Sequence, residues 1–281
     1  MIKITPNEIK VFSKYMYDIS GIFLDEKKAY LLETRLKMIM DAEGFTSYQE
    51  LYQRARSEKS GQMERKIIDA VTTNETLFFR DKSPFEMFKF KVMPDLIDKR
   101  AAQTPGGMPI NIRIWSAACS TGQEIYSLAI ILKELIPDQK KYRIKLLGTD
   151  ISDDAVAKAS YGKYNRFEIE RGLEKDQLQR YFVPNGNAWK IRDDIRAMAL
   201  FQKRNLMEPL TGIGQFDIVF CRNVAIYFSV EDRKKLFEKI AGVMAPDGYL
   251  IIGSTESLTG ICPQFEPQRH LRSVFYTLKN K

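Results

Sequence analysis

The feature that most constrains the fold is the alternation of short apolar runs with helical patterns after residue 80. Strand-like runs occupy residues 111–118, 143–149, 216–221 and 248–253. Helical patterns occupy residues 124–136, 153–159 and 230–243. This alternation predicts a mostly parallel sheet that is covered by helices on both faces. A further strand is expected at 272–279, as an antiparallel edge of that sheet.

Before residue 80 the pattern is helical. Apolar residues recur at helical spacing in 6–20, 25–43, 47–56 and 62–71, which predicts a small all-helical domain. In the α/β region, YFVPNGNAWKI at 181–191 predicts a β-hairpin that turns at Asn185 and Gly186. We expect a helical domain at 1–72 and a linking segment at 73–90. An α/β domain is expected at 91–281, with a β subdomain at about 181–202.

Composition excludes several classes of protein. No apolar run approaches the roughly 20 residues of a membrane span, and the first residues lack the apolar core of a signal peptide. We therefore expect a cytoplasmic protein that is not itself a membrane protein. Three scattered cysteines and a single histidine favour neither a disulfide framework, nor a metal site, nor a histidine-based triad. The net charge of +8 is compatible with nucleic acid or an acidic protein surface as partner.

The stretch WSAACSTGQEIYSLAI at 115–130 is a strand that ends in small residues, followed by a helix that begins near Glu124. Ligands of α/β sheets bind beyond the carboxyl ends of the strands, so this turn lies at the expected site. It contains no complete phosphate-binding motif, and a carboxylate at the helix start repels phosphate. Glu124 therefore predicts a cationic ligand. The alternative is a capping box in which Thr121 and Glu124 satisfy only backbone amides.

A second acid, Asp150, ends the strand in RIKLLGTDIS at 143–152. Nucleotide-binding α/β proteins place a carboxylate at such a position to accept hydrogen bonds from ribose hydroxyls, although the spacing from Gly122 is longer here than the usual 20 or so residues. Ser152 is expected to cap the next helix and to leave Asp150 free. A cationic ligand that carries a ribose and needs no phosphate cradle describes S-adenosylmethionine.

Two further segments place polar residues where a ligand could reach them. TTNETLFFRD at 72–81 is expected to be anchored by Phe78 and Phe79. Its polar side chains would then face a site, namely Asn74, Thr76 and Arg80. An ordinary interdomain linker is the alternative. In FDIVFCRNVAIYF at 216–228, a buried strand ends on Arg222 and Asn223, and Tyr227 follows; Asn223 could equally cap a turn.

Taken together, these stretches resemble the bacterial chemotaxis receptor glutamate O-methyltransferases, the CheR-type family, over nearly the whole chain. The most specific motif is NETLFFRD at 74–81. The other motifs are ACSTGQEIYS at 118–127, GTDIS at 148–152, RNL at 204–206, FCRNVAIYF at 220–228 and GYLIIGSTESL at 248–258. The resemblance implies an all-helical N-terminal domain and a seven-stranded, Rossmann-like methyltransferase sheet with a small inserted β subdomain.

The implied activity is transfer of the methyl group of S-adenosylmethionine to glutamate side chains on the cytoplasmic helical region of methyl-accepting chemoreceptors. Glutamate methyl esters and S-adenosylhomocysteine would be the products, and no metal is expected. The implied cofactor contacts are Asn74, Thr76, Arg80, Glu124, Asp150, Asn205, Leu206, Arg222 and Asn223. Glu124 would hold the methionine ammonium and Asp150 the ribose. Arg80 and Tyr227 match positions near the reacting groups and are the catalytic candidates.

Three departures from the family pattern stand out. Gln123 replaces a usual glutamate, Ala225 replaces a larger apolar residue, and Ser254 stands where the family often has a histidine before Ser-Glu. None of these changes removes a charge from the implied ammonium or ribose contacts. Cofactor binding is therefore still expected.

Receptor recognition is expected to use a basic face of the helix after Gly21. Lys28 and Arg35 lie two turns apart on one face of that helix and suit an acidic receptor helix, although an ordinary solvated face is the alternative. Some family members also tether to a receptor's C-terminal peptide by strand addition. The turn at 185–187 is short here, so we expect action without a tether, at membrane receptor clusters.

The sequence leaves two alternative functions to consider. The sequence pI of 9.2 suits a nucleic-acid methyltransferase. However, enzymes that methylate base amines usually carry a (D/N)PP(Y/F) loop where this chain has Arg-Asn-Val-Ala at 222–225, so we expect no nucleic-acid partner. The second alternative is a non-catalytic scaffold that only senses the cofactor, and the presence of Arg80 and Tyr227 argues against it.

Overall fold

The computed structural model describes residues 3–24, 29–106, 108–136 and 138–279. The first four helices form one domain and are α1 Pro6–Ser20, α2 Ala29–Glu43, α3 Tyr48–Ser57 and α4 Gln62–Val71. Helix α1 begins at a capping box between Thr5 and Glu8 and ends at Gly21, whose φ of 74° is left-handed. The helical domain predicted from the sequence is confirmed. The predicted start of its second helix falls on residues 25–28, outside the described residues.

The helical domain encloses its own core. Its fully buried side chains come from all four helices and include Phe12, Met16, Leu36, Leu51 and Ile67. Residues 72–82 then lead into α5 Ser83–Met87, a π-helical turn Phe88–Val92 and α6 Met93–Gln103. These three elements pack against the following sheet through a separate core. The two domains therefore have distinct cores that are joined by an ordered segment.

The α/β domain contains a seven-stranded sheet in the order β6-β2-β1-β7-β8-β10-β9. Its strands are β1 Ile110–Ala117, β2 Tyr142–Asp150, β6 Ala199–Lys203, β7 Phe216–Cys221, β8 Met244–Ile252, β9 Phe265–His270 and β10 Ser273–Leu278. The first five of these pair in parallel, whereas β10 pairs antiparallel with both β8 and β9. The predicted fold class, an α/β methyltransferase sheet after an all-helical domain, is confirmed.

Helices cover both faces of this sheet. The main ones are α7 Gln123–Leu135, α8 Asp153–Tyr161 and α12 Val230–Val243. One face buries Ile114 and Tyr126 in its core, and the opposite face buries Trp115 and Phe237. Strand β7 is buried along its whole length, as a central strand between two layers of helices should be. Among the described residues, no helix is both long enough and apolar enough to cross a membrane.

The strand predicted as an antiparallel edge is not at the edge. Strand β10 lies between β8 and β9, and β9 forms the edge. The sequence of β9, FEPQRH, is polar and contains Pro267, which suits an edge strand but hides it from a search for apolar runs.

The predicted hairpin is confirmed as β4 Phe182–Asn185 and β5 Ala188–Ile191. A short strand, β3 Lys163–Asn165, pairs with the other side of β5 and completes a small three-stranded sheet. The short helices α9 Arg166–Glu170, α10 Lys175–Tyr181 and α11 Asp193–Arg196 flank it. Strand β6, at the end of the range predicted as β subdomain, instead joins the main sheet beside β2. Phe201 of β6 packs over Gly148, where a Cβ atom would lie 2.7 Å from its ring.

Candidate active site

A cleft lies between the helical domain and the carboxyl ends of β1, β2 and β7. It encloses about 1170 Å³ of space, part of which is open to solvent. The predicted site residues that line it are Arg35, Asn74, Thr76, Arg80, Glu124, Asp150, Asn205, Leu206, Arg222, Asn223 and Tyr227. Lys28 lies outside the described residues. The structure thus brings together residues that are up to 192 positions apart in the sequence, from Arg35 to Tyr227. Their contacts with a cofactor stay predictions.

Glu124 is held by side chains. Helix α7 has Gly122 at its N-cap, with φ of 90° and no side-chain cap. The Thr121 hydroxyl donates to the Gln123 side chain at 2.7 Å, so the capping box considered as an alternative is absent. The Glu124 carboxylate instead accepts from Ser116 Oγ and from Arg222, each at 2.8 Å. Glu124 also lines the cleft.

Arg222 is the cation that the structure places beside Glu124. Its side chain is only 2% exposed, and it donates to Glu124, to Asp81 at 2.9 Å and to the Arg80 carbonyl at 2.9 Å. The guanidinium also lies over the ring of Phe85. Its Nε is buried and has no partner among the described residues. One buried arginine thus joins the tip of β7, the start of α7 and the 72–81 segment, and the two carboxylates exceed its charge by one.

Asp150 is held by backbone amides. It is 6% exposed, and its oxygens accept from Ser120 N at 2.8 Å and Ser152 N at 3.0 Å. Ser152 caps α8 by accepting from Ala155 N, as expected. The expectation that Asp150 is left free is wrong, because the turns after β1 and β2 both direct amides at it. Burial raises the pKa of Asp150 and these amides oppose the rise. A carboxylate has about four acceptor positions, so both oxygens can accept further hydrogen bonds.

Backbone strain is concentrated at this cleft. The described chain has seven non-glycine residues with positive φ. Six of them lie in three segments around the cleft: Phe79, Asp81, Lys82, Ala118, Ser120 and Asn223. Each such conformation costs on the order of 1–3 kcal/mol and persists only where its surroundings fix it. Strained residues cluster at functional sites, which supports this cleft as the active site.

The 72–81 segment forms one wall of the cleft and is firmly anchored. Phe78 is fully buried and contacts the rings of Tyr164 and Phe182. The Asn74 carbonyl accepts from Ser120 Oγ at 3.0 Å. Arg80 donates back to the carbonyl of Glu75 at 3.0 Å. The segment is therefore part of the site and more than a linker.

The helical domain supplies another wall. Asn205 donates to the Ile19 carbonyl at 3.0 Å, at the end of α1. Phe23 N donates to the Tyr227 carbonyl at 2.8 Å, whereas the Tyr227 hydroxyl has no hydrogen-bond partner within the described ranges. Arg35 donates to Val71 O and to Thr73 Oγ1, so its guanidinium braces the start of the 72–81 segment. Its contact with a receptor stays a prediction.

Several residues at the site were not singled out from the sequence. Glu256 accepts from Asn223 N at 2.8 Å and from Gly253 N at 2.7 Å, and so joins the tips of β7 and β8. It belongs to the Ser254–Glu256 triplet, in which the sequence drew attention to the missing histidine instead. Ser116 bonds to Glu124 across the turn between β1 and α7, and Asp81 pairs with Arg222, which is 141 residues away; no local sequence pattern indicates either pair.

Comparison with known proteins agrees with the resemblance. The family model described as CheR methyltransferase, all-alpha domain, matches residues 7–72, and the model described as CheR methyltransferase, SAM binding domain, matches residues 74–272. Chemotaxis protein methyltransferase Cher2 of Pseudomonas putida is 37% identical over 276 residues, covering 97% of this chain and 98% of that protein. Chemotaxis protein methyltransferase 1 of Pseudomonas aeruginosa has the same identity and coverage.

Solved structures are more distant. The plantazolicin methyltransferase BpumL in complex with SAH matches with a TM-score of 0.33 and 13% identity, covering 79% of this chain and 61% of that one. A similarity at this level supports no statement about function. The two family models together span most of the chain, and the two relatives cover 97% of it. The chain belongs to the CheR methyltransferase family and is an S-adenosylmethionine-dependent methyltransferase that acts in chemotaxis.

Proposed function

We propose that the protein transfers the methyl group of S-adenosylmethionine to glutamate side chains on the cytoplasmic helices of chemoreceptors. The products are glutamate methyl esters and S-adenosylhomocysteine. The observation that carries this proposal is a cleft that is lined by Glu124, Asp150 and Tyr227, whose hydroxyl has no hydrogen-bond partner within the described residues. Relatives named as chemotaxis protein methyltransferases support the choice of a receptor as the acceptor.

The groups in the cleft suit the cofactor. Glu124 belongs to a cluster with excess negative charge, which favours the ammonium of the methionine part. Asp150 keeps acceptor positions for ribose hydroxyls. Arg222 Nε, buried without a partner in the described chain, can donate to the methionine carboxylate. Asn205 and Leu206 contact the adenine end of the cofactor in this proposal, and the 74–80 segment lies beside its methionine part.

The acceptor chemistry requires few catalytic groups. Bound S-adenosylmethionine supplies a methyl group on a sulfonium, which is a good leaving group. A glutamate side chain has a reference pKa near 4.3, so it is already an anionic nucleophile at neutral pH and needs no general base. The protein's task is alignment, which is worth roughly 7–11 kcal/mol in well-oriented systems. Strong ion pairing to the nucleophile would stabilise the ground state more than the transition state.

Tyr227 and Arg80 therefore have different proposed roles. The Tyr227 hydroxyl, an uncharged donor, orients the acceptor carboxylate by a hydrogen bond, and Arg80 organises the cofactor wall through Glu75. Tyr227→Phe should lower turnover about tenfold at unchanged affinity for S-adenosylhomocysteine, because one oriented hydrogen bond is lost. Arg80→Ala should weaken that affinity. If Tyr227→Phe loses cofactor affinity and keeps its turnover, the orienting role is rejected.

The decisive assay uses receptor-containing membranes and S-adenosylmethionine labelled in its methyl group. Methyl esters hydrolyse in base, so label in the receptor band should be released as volatile methanol. Base-stable label would show a different acceptor, and label in added DNA or RNA would show a nucleic-acid methyltransferase. Membranes in which the receptor's acceptor glutamates are replaced by alanine provide the control and should take up no base-labile label.

Recognition of the receptor is proposed to use Lys28 and Arg35 and to need no peptide tether. Charge reversal at either position should raise the Michaelis constant for receptor. Arg35 also braces Val71 and Thr73, so Arg35→Glu must be checked for cofactor affinity. Unchanged receptor kinetics in Lys28→Glu would contradict the basic docking face. Inhibition by a free peptide copying the receptor's C-terminus would contradict action without a tether.

A further inference from the structure

One contact between the two domains reaches the cofactor site without lining it. Asp69, on α4 of the helical domain, accepts a hydrogen bond from Ser152 Oγ at 2.7 Å. The same Asp69 oxygen lies 3.4 Å from Asp154 N, at the start of α8. A side chain of the helical domain is thus built into the turn between β2 and α8.

Ser152 connects this contact to the acid of the site. Its backbone N–H donates to Asp150 Oδ1 at 3.0 Å, and its hydroxyl oxygen accepts from Ala155 N at 3.1 Å. A serine hydroxyl has a single proton, and here Asp69 accepts it. Ser152 is fully buried, and its bond to the partly exposed Asp69 is half-buried. The bonds form a continuous chain from Asp69 through Ser152 to Asp150.

The chain of bonds brings two acids near one another. Asp69 is a source of negative potential that disfavours the ionised form of Asp150. Like charges in a buried region are unfavourable. The negative charge of Asp69 therefore does not stabilise the ionised form of Asp150. Its contribution is geometric, because it fixes the hydroxyl of Ser152 and with it the turn that presents the Ser152 amide.

We propose that Asp69 is a positioning residue of the cofactor site, through which the helical domain fixes the orientation of the Asp150 carboxylate by way of Ser152. The proposal rests on the proposed role of Asp150 as a cofactor contact. Binding sites require their contacting groups to be held in place by a surrounding shell of hydrogen bonds. Here that shell comes from the other domain, so the helical domain takes part in cofactor binding even though Asp69 does not line the cleft.

The chain offers a matched control. Arg65 lies one turn before Asp69 on α4 and forms an ion pair with Asp153 of α8, at 3.8 Å. This pair joins the same two helices, but it is partly exposed and has no hydrogen bond to Asp150 or Ser152 in the described chain. Its loss should weaken the contact between the domains without altering the acid.

The test measures binding of S-adenosylhomocysteine to the purified full-length protein by calorimetry. Asp69→Ala should weaken binding about three- to tenfold, as expected for one lost orienting hydrogen bond. Asp69→Asn keeps an acceptor oxygen for Ser152 and should stay near wild type. Arg65→Ala should leave affinity unchanged. Because Asp69 and Ser152 act in one chain, Ser152→Ala should add little further loss to Asp69→Ala.

Three results would overturn the proposal. They are wild-type affinity in Asp69→Ala, equal losses in Asp69→Ala and Arg65→Ala, and additive losses in the Asp69–Ser152 double-mutant cycle. If Asp69→Ala does not fold by circular dichroism, Ser152→Ala removes the same bond from the other side and must then weaken binding. An Asp150→Ala variant distinguishes failure of the cofactor contact from failure of the positioning role. Unchanged affinity in Asp150→Ala rejects Asp150 as a contact, and the positioning role of Asp69 with it. A loss in Asp150→Ala without a loss in Asp69→Ala rejects the positioning role alone.

Discussion

The two acids of the cleft are held in opposite ways. At the β1 end, Glu124 is bound by side chains, namely Ser116 and the buried Arg222. At the β2 end, Asp150 is bound by the backbone amides of Ser120 and Ser152. Asp150 is the last residue of β2, and Glu124 follows the turn after β1, the neighbouring parallel strand. The difference lies in what compensates the burial of each charge.

Because of this difference, the two acids depend on different parts of the protein. An acid that is compensated by a formal charge depends on one arginine, and its cluster becomes more negative if that arginine is lost. The compensation of an acid by amides depends on the backbone conformation. Many side-chain substitutions leave that conformation unchanged. The Glu124 end should therefore be sensitive to single changes at its partners, and the Asp150 end mainly to changes of the acid itself.

The largest expected effect is that of Arg222→Ala. The change leaves Glu124, which is 13% exposed, and Asp81 without their shared cation. Removing one partner of a buried pair typically costs about 3–5 kcal/mol. Urea unfolding of the cofactor-free protein measures this loss. A decrease below about 1 kcal/mol would show that Glu124 does not depend on Arg222.

Arg100 provides the matched control for that experiment. It contacts Asp217, near the amino end of β7, the strand whose carboxyl end leads to Arg222, and it also contacts Asp247. Arg100→Ala should lower the free energy of unfolding to a similar extent and leave the affinity for S-adenosylhomocysteine intact. Arg222→Ala should also weaken that affinity, because it disturbs the Glu124 cluster; equal loss of affinity in both variants would mean that lost stability alone accounts for the effect.

The next largest effect is expected for Asp150→Asn. The asparagine amide presents an N–H₂ group where one oxygen now accepts from a backbone N–H, so two donors meet. Hydrogen bonds to a charged group contribute about 1.5–3 kcal/mol, which corresponds to roughly a 10- to 100-fold loss of affinity for S-adenosylhomocysteine. Calorimetric titration measures it. Wild-type affinity in Asp150→Asn would show that Asp150 does not contribute to cofactor binding.

How far the sequence predicted each end follows from the same difference. Glu124 and Asp150 are both visible in the sequence, because Glu124 begins the helix after one strand-like run and Asp150 ends the next such run. The compensation of Glu124 was not predicted, since Arg222 lies 98 residues away and only the fold brings the two together. The amides around Asp150 were not predicted either, because their directions depend on turn geometry, including the left-handed φ of 50° at Ser120.

The same distinction holds for the fold. Apolar and periodic elements such as α1, α4 and β7 were predicted with the bounds that the structure has, because burial on one or both faces leaves a clear pattern. The edge strands β6 and β9 were not predicted, since an edge strand shares one side with solvent and its sequence can be polar. Their place is determined by pairing with β2 and β10.

A smaller effect is expected for Ser116→Ala. Ser116 is fully buried on β1 and donates to the second oxygen of Glu124 at 2.8 Å. Its loss removes one hydrogen bond but keeps the Arg222 pair, so the free energy of unfolding should fall by about 1 kcal/mol. Ser160→Ala, at an exposed hydroxyl of α8, should change it by less than about 0.5 kcal/mol. Equal changes in the two variants would show that Ser116 does not stabilise Glu124.

The smallest expected effect is a pH dependence of the free energy of unfolding. It distinguishes Asp150, which is bound by backbone amides, from Asp232, which is bound by hydroxyls. Burial raises the pKa of Asp150 above its ordinary value of 3.8. Hydrogen bonds from Ser229 and Tyr17 lower the pKa of Asp232 below the same value. The stability that Asp150 contributes is thus complete below pH 3.8 and is lost as pH rises through its raised pKa, whereas that of Asp232 is present above pH 3.8 and is lost as pH falls through its lowered pKa.

Unfolding free energies of wild type, Asp150→Asn and Asp232→Asn between about pH 3 and about pH 7 test these signs in the cofactor-free protein. The advantage of wild type over Asp150→Asn should shrink as pH rises, and its advantage over Asp232→Asn should grow. Two curves of the same slope would mean that the amides of Ser120 and Ser152 outweigh burial at Asp150. The contrast between the two ends would then reduce to the identity of their partners.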